Sequence, residues 1–310
     1  MIKKIIPVLA LLWLVMYTAT AQDASVKVNY VVGSNKSVDF NFEKADPGTY
    51  TVVLSFSNLT NTYNVGRQEY GARGYSGRLT TLTPSNKEQG VGFSYTYTYI
   101  RGKYQPKYDP DFVYLLPCKK GSKVKVTESG FVNATYFGST TPDDWKVYRF
   151  YTETEDTVTA VRKGVVVAVK DLYETAAGDV TYTSSINELI IEHADGTLAT
   201  YRGFKKGSFM VEVGQTVLPG TALGVNSKSG GSGKPNIGLL LTYLKSIDFE
   251  GSRGQSMKTS KSLYGFITPK FYTADNPAAI LVAQQDYVGA NTPEIIRKEM
   301  IKKELKLAGK

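Results

Sequence analysis

The feature that most constrains this chain is its lack of helical periodicity before Thr292. Apolar residues recur instead in short runs, often at every second position, separated by Gly, Pro, Asn and Asp. Val26 to Tyr30 alternates, Val38 to Phe42 repeats the pattern, and Asp46-Pro47-Gly48 is turn chemistry before a strong run from Tyr50 to Phe56. Phe93 to Ile100 alternates aromatic with polar, Phe112 to Leu116 is apolar, and Lys119-Lys120-Gly121 precedes Val124-Lys125-Val126. The Gly- and polar-rich stretch from 63 to 90 reads as a long loop or ragged edge. Many short strands without helices predict a β-sandwich over 22–135.

Residues 131–145 read as a connection, with Thr140 to Asp144 as its polar turn. A second β domain follows over 146–286. Val158 to Val169 reads as a strand pair interrupted at Lys163-Gly164. Leu189 to Ile191 and Ala199 to Tyr201 flank Asp195-Gly196, a strong hairpin signal because both residues tolerate positive φ. Phe209 to Val213, Ala222 to Val225 and Ile237 to Leu244 are expected to continue the sheet. Ile237 to Leu241 is apolar except for Gly238 and is expected to be buried on both faces. The tail, 287–310, differs: Thr292 suits an N-cap, Pro293 a first helical position, and Glu294 to Leu305 one helix with a stripe of Ile296, Met300, Ile301 and Leu305.

The N-terminus carries a compartment signal. Lys3 and Lys4 precede an apolar run from Ile5 to Tyr17, and Ala19-Thr20-Ala21 is a small-x-small cleavage pattern before Gln22. Residues 1–21 therefore read as a secretory signal peptide, too short for a comfortable membrane span. Its removal from 310 residues leaves 289, enough for about two domains. Export to the periplasm or cell surface is expected, with no stable membrane span. Cys118 is the only cysteine, so no intrachain disulfide forms and packing must supply stability. The formal charge of +9 falls to +7 without Lys3 and Lys4. Outside the cytoplasm, that excess points to anionic wall polymers or lipid headgroups and not to nucleic acid.

Three ordered blocks in residues 146–245 carry a resemblance. Asp156 to Val166, with Thr157 and Lys163 as departures, resembles the "T-P-V-x-A-x-x-D-G-x-V" strand pair of the lysostaphin-type (LytM-like) zinc endopeptidases. Leu189 to Gly196 with Thr200-Tyr201 is similar to that family's central hairpin. Val211 to Gly224 is similar to its "V-x-x-G-x-x-V-x-x-G-x-x-I-G" block. The resemblance implies a lysostaphin-like β domain. It also implies a reaction in which zinc, held by three protein ligands, polarises a peptide carbonyl and acidifies a bound water.

The residues that the family uses for this are replaced. Its late H-x-H motif falls on Asn236-Ile237-Gly238, so Asn236 stands for the first His and Gly238 for a zinc ligand. Its Tyr-x-His falls on Tyr201-Arg202-Gly203. Its early H-x-x-x-D motif falls near Trp145 to Arg149, aligned without gaps, and finds neither His nor Asp. The chain has one histidine, His193, which aligns with the hairpin and reads as structural. A phosphate-loop-like run from Ser229 to Lys234 departs from that motif at Lys228 and Pro235. With no metal and no cofactor expected, the fold reads as a degenerate lysostaphin-like domain, non-catalytic. Its groove, near Tyr201, Gly203, Ser229, Ser232, Asn236 and Gly238, is expected to bind peptidoglycan or an envelope protein. Without its ligands, that groove is expected to be filled by neighbouring side chains or to be shallow and apolar. Two competitors are an adhesin or scaffold acting through the sandwich, and a peptidoglycan hydrolase with a relocated site.

Overall fold

The computed structural model describes residues 25–63, 66–130, 141–174, 186–228, 233–249 and 262–308. The expected signal peptide, most of the connection over 131–145, and Ser229 and Ser232 lie outside the described residues. The chain is mainly β, with two short helices at its C-terminal end. No helix among the described residues is long and apolar enough to cross a membrane.

Two three-stranded sheets form an N-terminal sandwich. One pairs β1 (Val26–Val32), β2 (Val38–Lys44) and β5 (Ser76–Leu82) in that order. The other orders β4 (Arg67–Ala72), β3 (Tyr50–Thr60) and β6 (Gly92–Arg101). The alternation read in the sequence sets the core: Val26, Val38, Phe40, Val52 and Leu54 are buried between the sheets. Phe40 meets Phe56, Phe93 and Tyr95 edge-on at 5.1–5.4 Å between ring centres. The β6 tyrosines face this core. Tyr95 and Tyr97 send their hydroxyls to the β1 carbonyls of Val28 and Val26. The tyrosine content thus serves packing with a polar exit at the edge strand, and β6 offers no flat aromatic face to solvent.

Of the two readings of the stretch from 63 to 90, the edge is the one seen and the loop is not, since it contains the edge strands β4 and β5. Its polar character follows from position: both are edge strands, and Arg67, Gln68 and Glu69 are exposed.

The larger unit contains a ten-stranded sheet, counted over the described residues. Its main path runs β14 (Thr216–Val217), β11 (Gly164–Lys170), β12 (Glu188–Glu192), β13 (Leu198–Arg202), β17 (Pro235–Leu244), β9 (Tyr148–Tyr151), β8 (Lys123–Glu128) and β20 (Asp286–Val288). β16 (Ser227–Lys228) and β18 (Tyr264–Phe266) also pair with β17. The hairpin at Asp195-Gly196 is present: β12 and β13 pair in register, and Gly196 holds φ +93°. β17 lies centrally between β13 and β9, as its apolar run requires.

Several expectations need correction. β7 (Val113–Leu115) and β8 do not join the sandwich. β7 runs parallel to β19 (Lys270–Tyr272), and β8 lies between β9 and β20. Their apolar residues Tyr114, Val124 and Val126 complete the second core, which holds Tyr148, Phe150 and Phe271. β10 (Thr157–Thr159) pairs not with β11 but with β15 (Ala222–Val225), in a separate two-stranded sheet. Residues 209–213 form no strand. Phe209 packs on Phe204 at 4.7 Å, and the Met210 N–H donates to the Leu223 carbonyl.

The expected single tail helix is two, α1 (Pro293–Arg297) and α2 (Lys302–Ala308), with Thr292 capping the first. The Glu299 side chain and carbonyl bind Arg162 and Lys163, which draws this residue out of a continuous helical ladder. Ile301 and Leu305 are consequently exposed and do not complete the expected apolar stripe.

Candidate functional site

Strand pairing decides which side chains share the site. Alternate residues of β17 face opposite sides of the sheet, and directly paired residues share a side. Ile237, Leu239 and Leu241 enter the core. Asn236, Gly238 and Leu240 therefore face the other way. Gly238 pairs with Arg149 on β9 and Arg202 on β13, while Thr127 on β8 pairs with Arg149. The next row places Asn236 beside Tyr151, Lys125 and Asp286. Residues distant in the chain thus form one polar face.

Arg149 lies at its centre. Its Nη1 donates to the Asn236 Oδ1 at 3.2 Å, and its Nε donates to the Ser129 Oγ at 2.9 Å. Asn236 is fully buried, and its Nδ2 also donates to the Lys234 carbonyl at 3.2 Å. A methyl group at Gly238 would meet only ordinary contacts, 3.5 Å from the Arg202 carbonyl and 3.7 Å from its Cβ. Packing therefore does not demand glycine at this position. Gly203 is different: it has φ +112° and accepts two hydrogen bonds from Ser227, so a side chain there is strained.

Beside Arg149, a cavity of about 560 Å³ is lined by Lys123, Lys125, Thr127, Tyr151, Lys234 and Asp286, among others. Lys123 pairs with Asp286 at 2.8 Å and Lys234 with Glu153 at 2.8 Å. The hydrogen bond from Lys123 holds the Asp286 carboxyl below its usual range. Lys125 and Arg149 add further positive charge to this face. The groove is thus polar and cationic, and not apolar. The expectation of filling by a neighbour holds in one respect, since the Arg149 guanidinium reaches into the place beside Asn236.

The sequence-predicted residues divide. Asn236 and Gly238 share the face. Gly203 lies at its margin, where β13 turns away. Tyr201 does not belong: it pairs with Leu239 on the core side, is fully buried, and its hydroxyl accepts from the Val161 N–H at 2.8 Å. Parity along β13 accounts for this, since Arg202 and not Tyr201 shares the side of Gly238. The reading of single motifs missed Lys123, Lys125, Thr127 and Tyr151. The alternation of Lys123 and Lys125 with Val124 and Val126 was the available signal, and only the long-range pairing of β8 with β9 brings it to the site.

The residues present do not fit a zinc ion. Gly238 offers no donor, Asn236 offers an amide already engaged, and Arg149 brings a guanidinium, which repels a dication. Among the described residues no group of three or more His, Cys, Asp or Glu is arranged to hold a metal. His193 lies elsewhere, buried in the hairpin turn with Nδ1 2.9 Å from the Thr197 Oγ1.

No family model matches this chain, and no curated protein matches it. Similar solved structures include that of the SpoIIQ–SpoIIIAH pore-forming complex, at 16% identity and TM-score 0.30, covering 42% of this chain and 84% of that one. Lysostaphin is similar at 15% identity and TM-score 0.28, over 44% of this chain and 49% of that one. A zinc-containing peptidase from Vibrio cholerae is similar at 13% identity and TM-score 0.32, over 70% and 75% of the two chains.

Proposed function

We propose that this chain is an exported, non-hydrolytic cell-envelope protein whose polar sheet face binds peptidoglycan or an envelope protein partner. The observation that carries this reading is the Arg149–Asn236 hydrogen bond beside Gly238. Where the resemblance places imidazoles and a dication, this chain has an engaged amide, a glycine and a fixed positive charge. Among the described residues this face has no set of donors for a zinc ion, so the zinc chemistry that the resemblance implies has no support on it. It does have the means to hold carboxylates and peptide carbonyls, because Arg149, Lys125 and Lys123 donate hydrogen bonds and attract anions.

The test is co-sedimentation of the mature protein with purified peptidoglycan over a salt series. Retention is expected to weaken as salt rises and to fall in a Lys123→Glu/Lys125→Glu variant, whose exposed side chains leave the core intact. Equal retention of variant and parent would overturn the assignment of this face. No retention of the parent at any salt would leave the envelope protein as the partner.

A further inference from the structure

The cavity beside Arg149, of about 560 Å³, is within the size range of small-molecule sites, but its lining differs from theirs. Every lining side chain carries a polar group, and none is a hydrocarbon. Its charges are nearly balanced from within. Lys123 pairs with Asp286 and Lys234 with Glu153, each at 2.8 Å. Lys125 has no ion pair among the described residues, since its cross-strand neighbour Asp286 is already engaged by Lys123. Three lysines thus face two carboxylates, and one positive charge is left over.

Three neutral groups stand beside that charge. The Thr127 and Tyr151 hydroxyls and the Gln284 carboxamide line the cavity, and none is hydrogen-bonded to another described residue. The backbone sets their places. Strand pairing puts Lys125 directly opposite Tyr151, and Thr127, two residues further along β8, shares their side of the sheet. Gln284 has φ +68°, a region uncommon for residues other than glycine. Two backbone bonds hold it against β8: its N–H donates to the Val126 carbonyl at 2.7 Å, and the Val126 N–H donates to the Gln285 carbonyl at 2.8 Å.

We propose that this cavity is a subsite for an acidic sugar, a ring whose carboxylate meets the Lys125 ammonium and whose hydroxyls meet Thr127, Tyr151 and Gln284. Hydroxyl and carboxamide groups both donate and accept, so together they match a ligand rich in hydroxyls. The single uncompensated lysine matches one negative charge. A bare anion would use Lys125 alone, and a peptide terminus would bring apolar side chains for which the cavity has no hydrocarbon wall. The inference rests on the reading of the sheet face around Arg149 as a binding face, and narrows its ligand to an acidic carbohydrate.

The experiment is a ligand-observed NMR titration of the mature chain with glucuronate, glucose, acetate and N-acetyl-alanyl-alanine. Glucuronate is expected to bind about tenfold more tightly than glucose or acetate, the effect of one charge-assisted hydrogen bond added to the neutral ones. Lys125→Gln is expected to remove the advantage of glucuronate over glucose. Gln284→Gly, which accepts the positive φ, is expected to weaken both sugars and leave acetate unchanged. Glucuronate binding no tighter than that of acetate, equal binding of the dipeptide, or sugar binding unchanged in either variant would each overturn the proposal. Peptidoglycan co-sedimentation separates the two readings. Retention that falls in Lys123→Glu/Lys125→Glu, with no preference for glucuronate, overturns the sugar subsite and leaves the binding face. Retention unchanged in that variant, with no preference for glucuronate, overturns both.

Discussion

His193 is the only histidine in the chain, so its titration can be followed without ambiguity. It is buried, with Nδ1 2.9 Å from the Thr197 Oγ1, and that hydroxyl donates in turn to the Asp195 Oδ1 at 2.7 Å. Burial raises the Asp195 carboxyl, but the Thr197 N–H and the Arg162 guanidinium outweigh it and hold the carboxyl below its usual range. The ionised Asp195 takes the only hydroxyl hydrogen of Thr197, so Nδ1 carries the ring hydrogen and donates to that oxygen. Nε2 is then a bare acceptor with no hydrogen-bond partner among the described residues. Protonating it would bury a cation near Arg162. Burial first, and Arg162 second, push the imidazolium pKa from 6.5 down to about 3. The unfolded chain therefore binds a proton that the folded chain refuses between those values. The stability contributed is present above the unfolded pKa and is lost as pH falls toward the folded one. The limiting slope is about 1.4 kcal/mol per pH unit, and the loss from about pH 6.5 to about pH 4.5 is roughly 2 kcal/mol. Urea unfolding across this range, for the parent and for His193→Gln, separates this loss from that of the carboxylates, which both proteins share. The variant is expected to show a shallower decline by that amount. The ring resonances of the folded parent should stay in the neutral form throughout. A ring that titrates near its ordinary pKa in the folded protein, or identical slopes for the two proteins, would refute the reasoning.

Phe271 is fully buried among Tyr114, Tyr148 and Phe150, so Phe271→Ala is expected to cost about 3–5 kcal/mol in urea unfolding. Burial, with a smaller contribution from Asp156, pushes the Cys118 thiol up to about 12. An aromatic disulfide reagent at mildly alkaline pH should therefore leave the folded protein unlabelled and react at once after denaturation. Restoring the resembled histidine by Gly203→His places a side chain at φ +112° and is expected to cost about 1–3 kcal/mol in strain. Calorimetry should still detect no stoichiometric zinc in that variant.

The sequence showed most of what local pattern determines. The Asp195-Gly196 hairpin, the sandwich strands from Val26 to Phe56, the buried strand from Ile237 and the Thr292 cap all follow from periodicity and turn chemistry over a few residues. What was not legible depends on pairing across the chain. β4 and β5 are edge strands, so their polar residues resembled a loop. β8 alternates as clearly as any sandwich strand, and nothing local indicates that it completes the second sheet. Tyr201 was expected in the groove, but its parity along β13 is opposite to that of Gly238's partner Arg202, and it enters the core. Arg149 lay in a motif window noted only for what it lacked. Its hydrogen bond to Asn236 needs β9 and β17 side by side.

The face around Arg149 is proposed to bind without cutting. The most direct test is the release of new amino groups from purified peptidoglycan during long incubation with the mature protein and added zinc. Release no greater than that of peptidoglycan alone is expected, because the described residues around Gly238 include no set of donors for the metal. Sustained release that scales with protein concentration, and that disappears when residues of this face are changed, would contradict it.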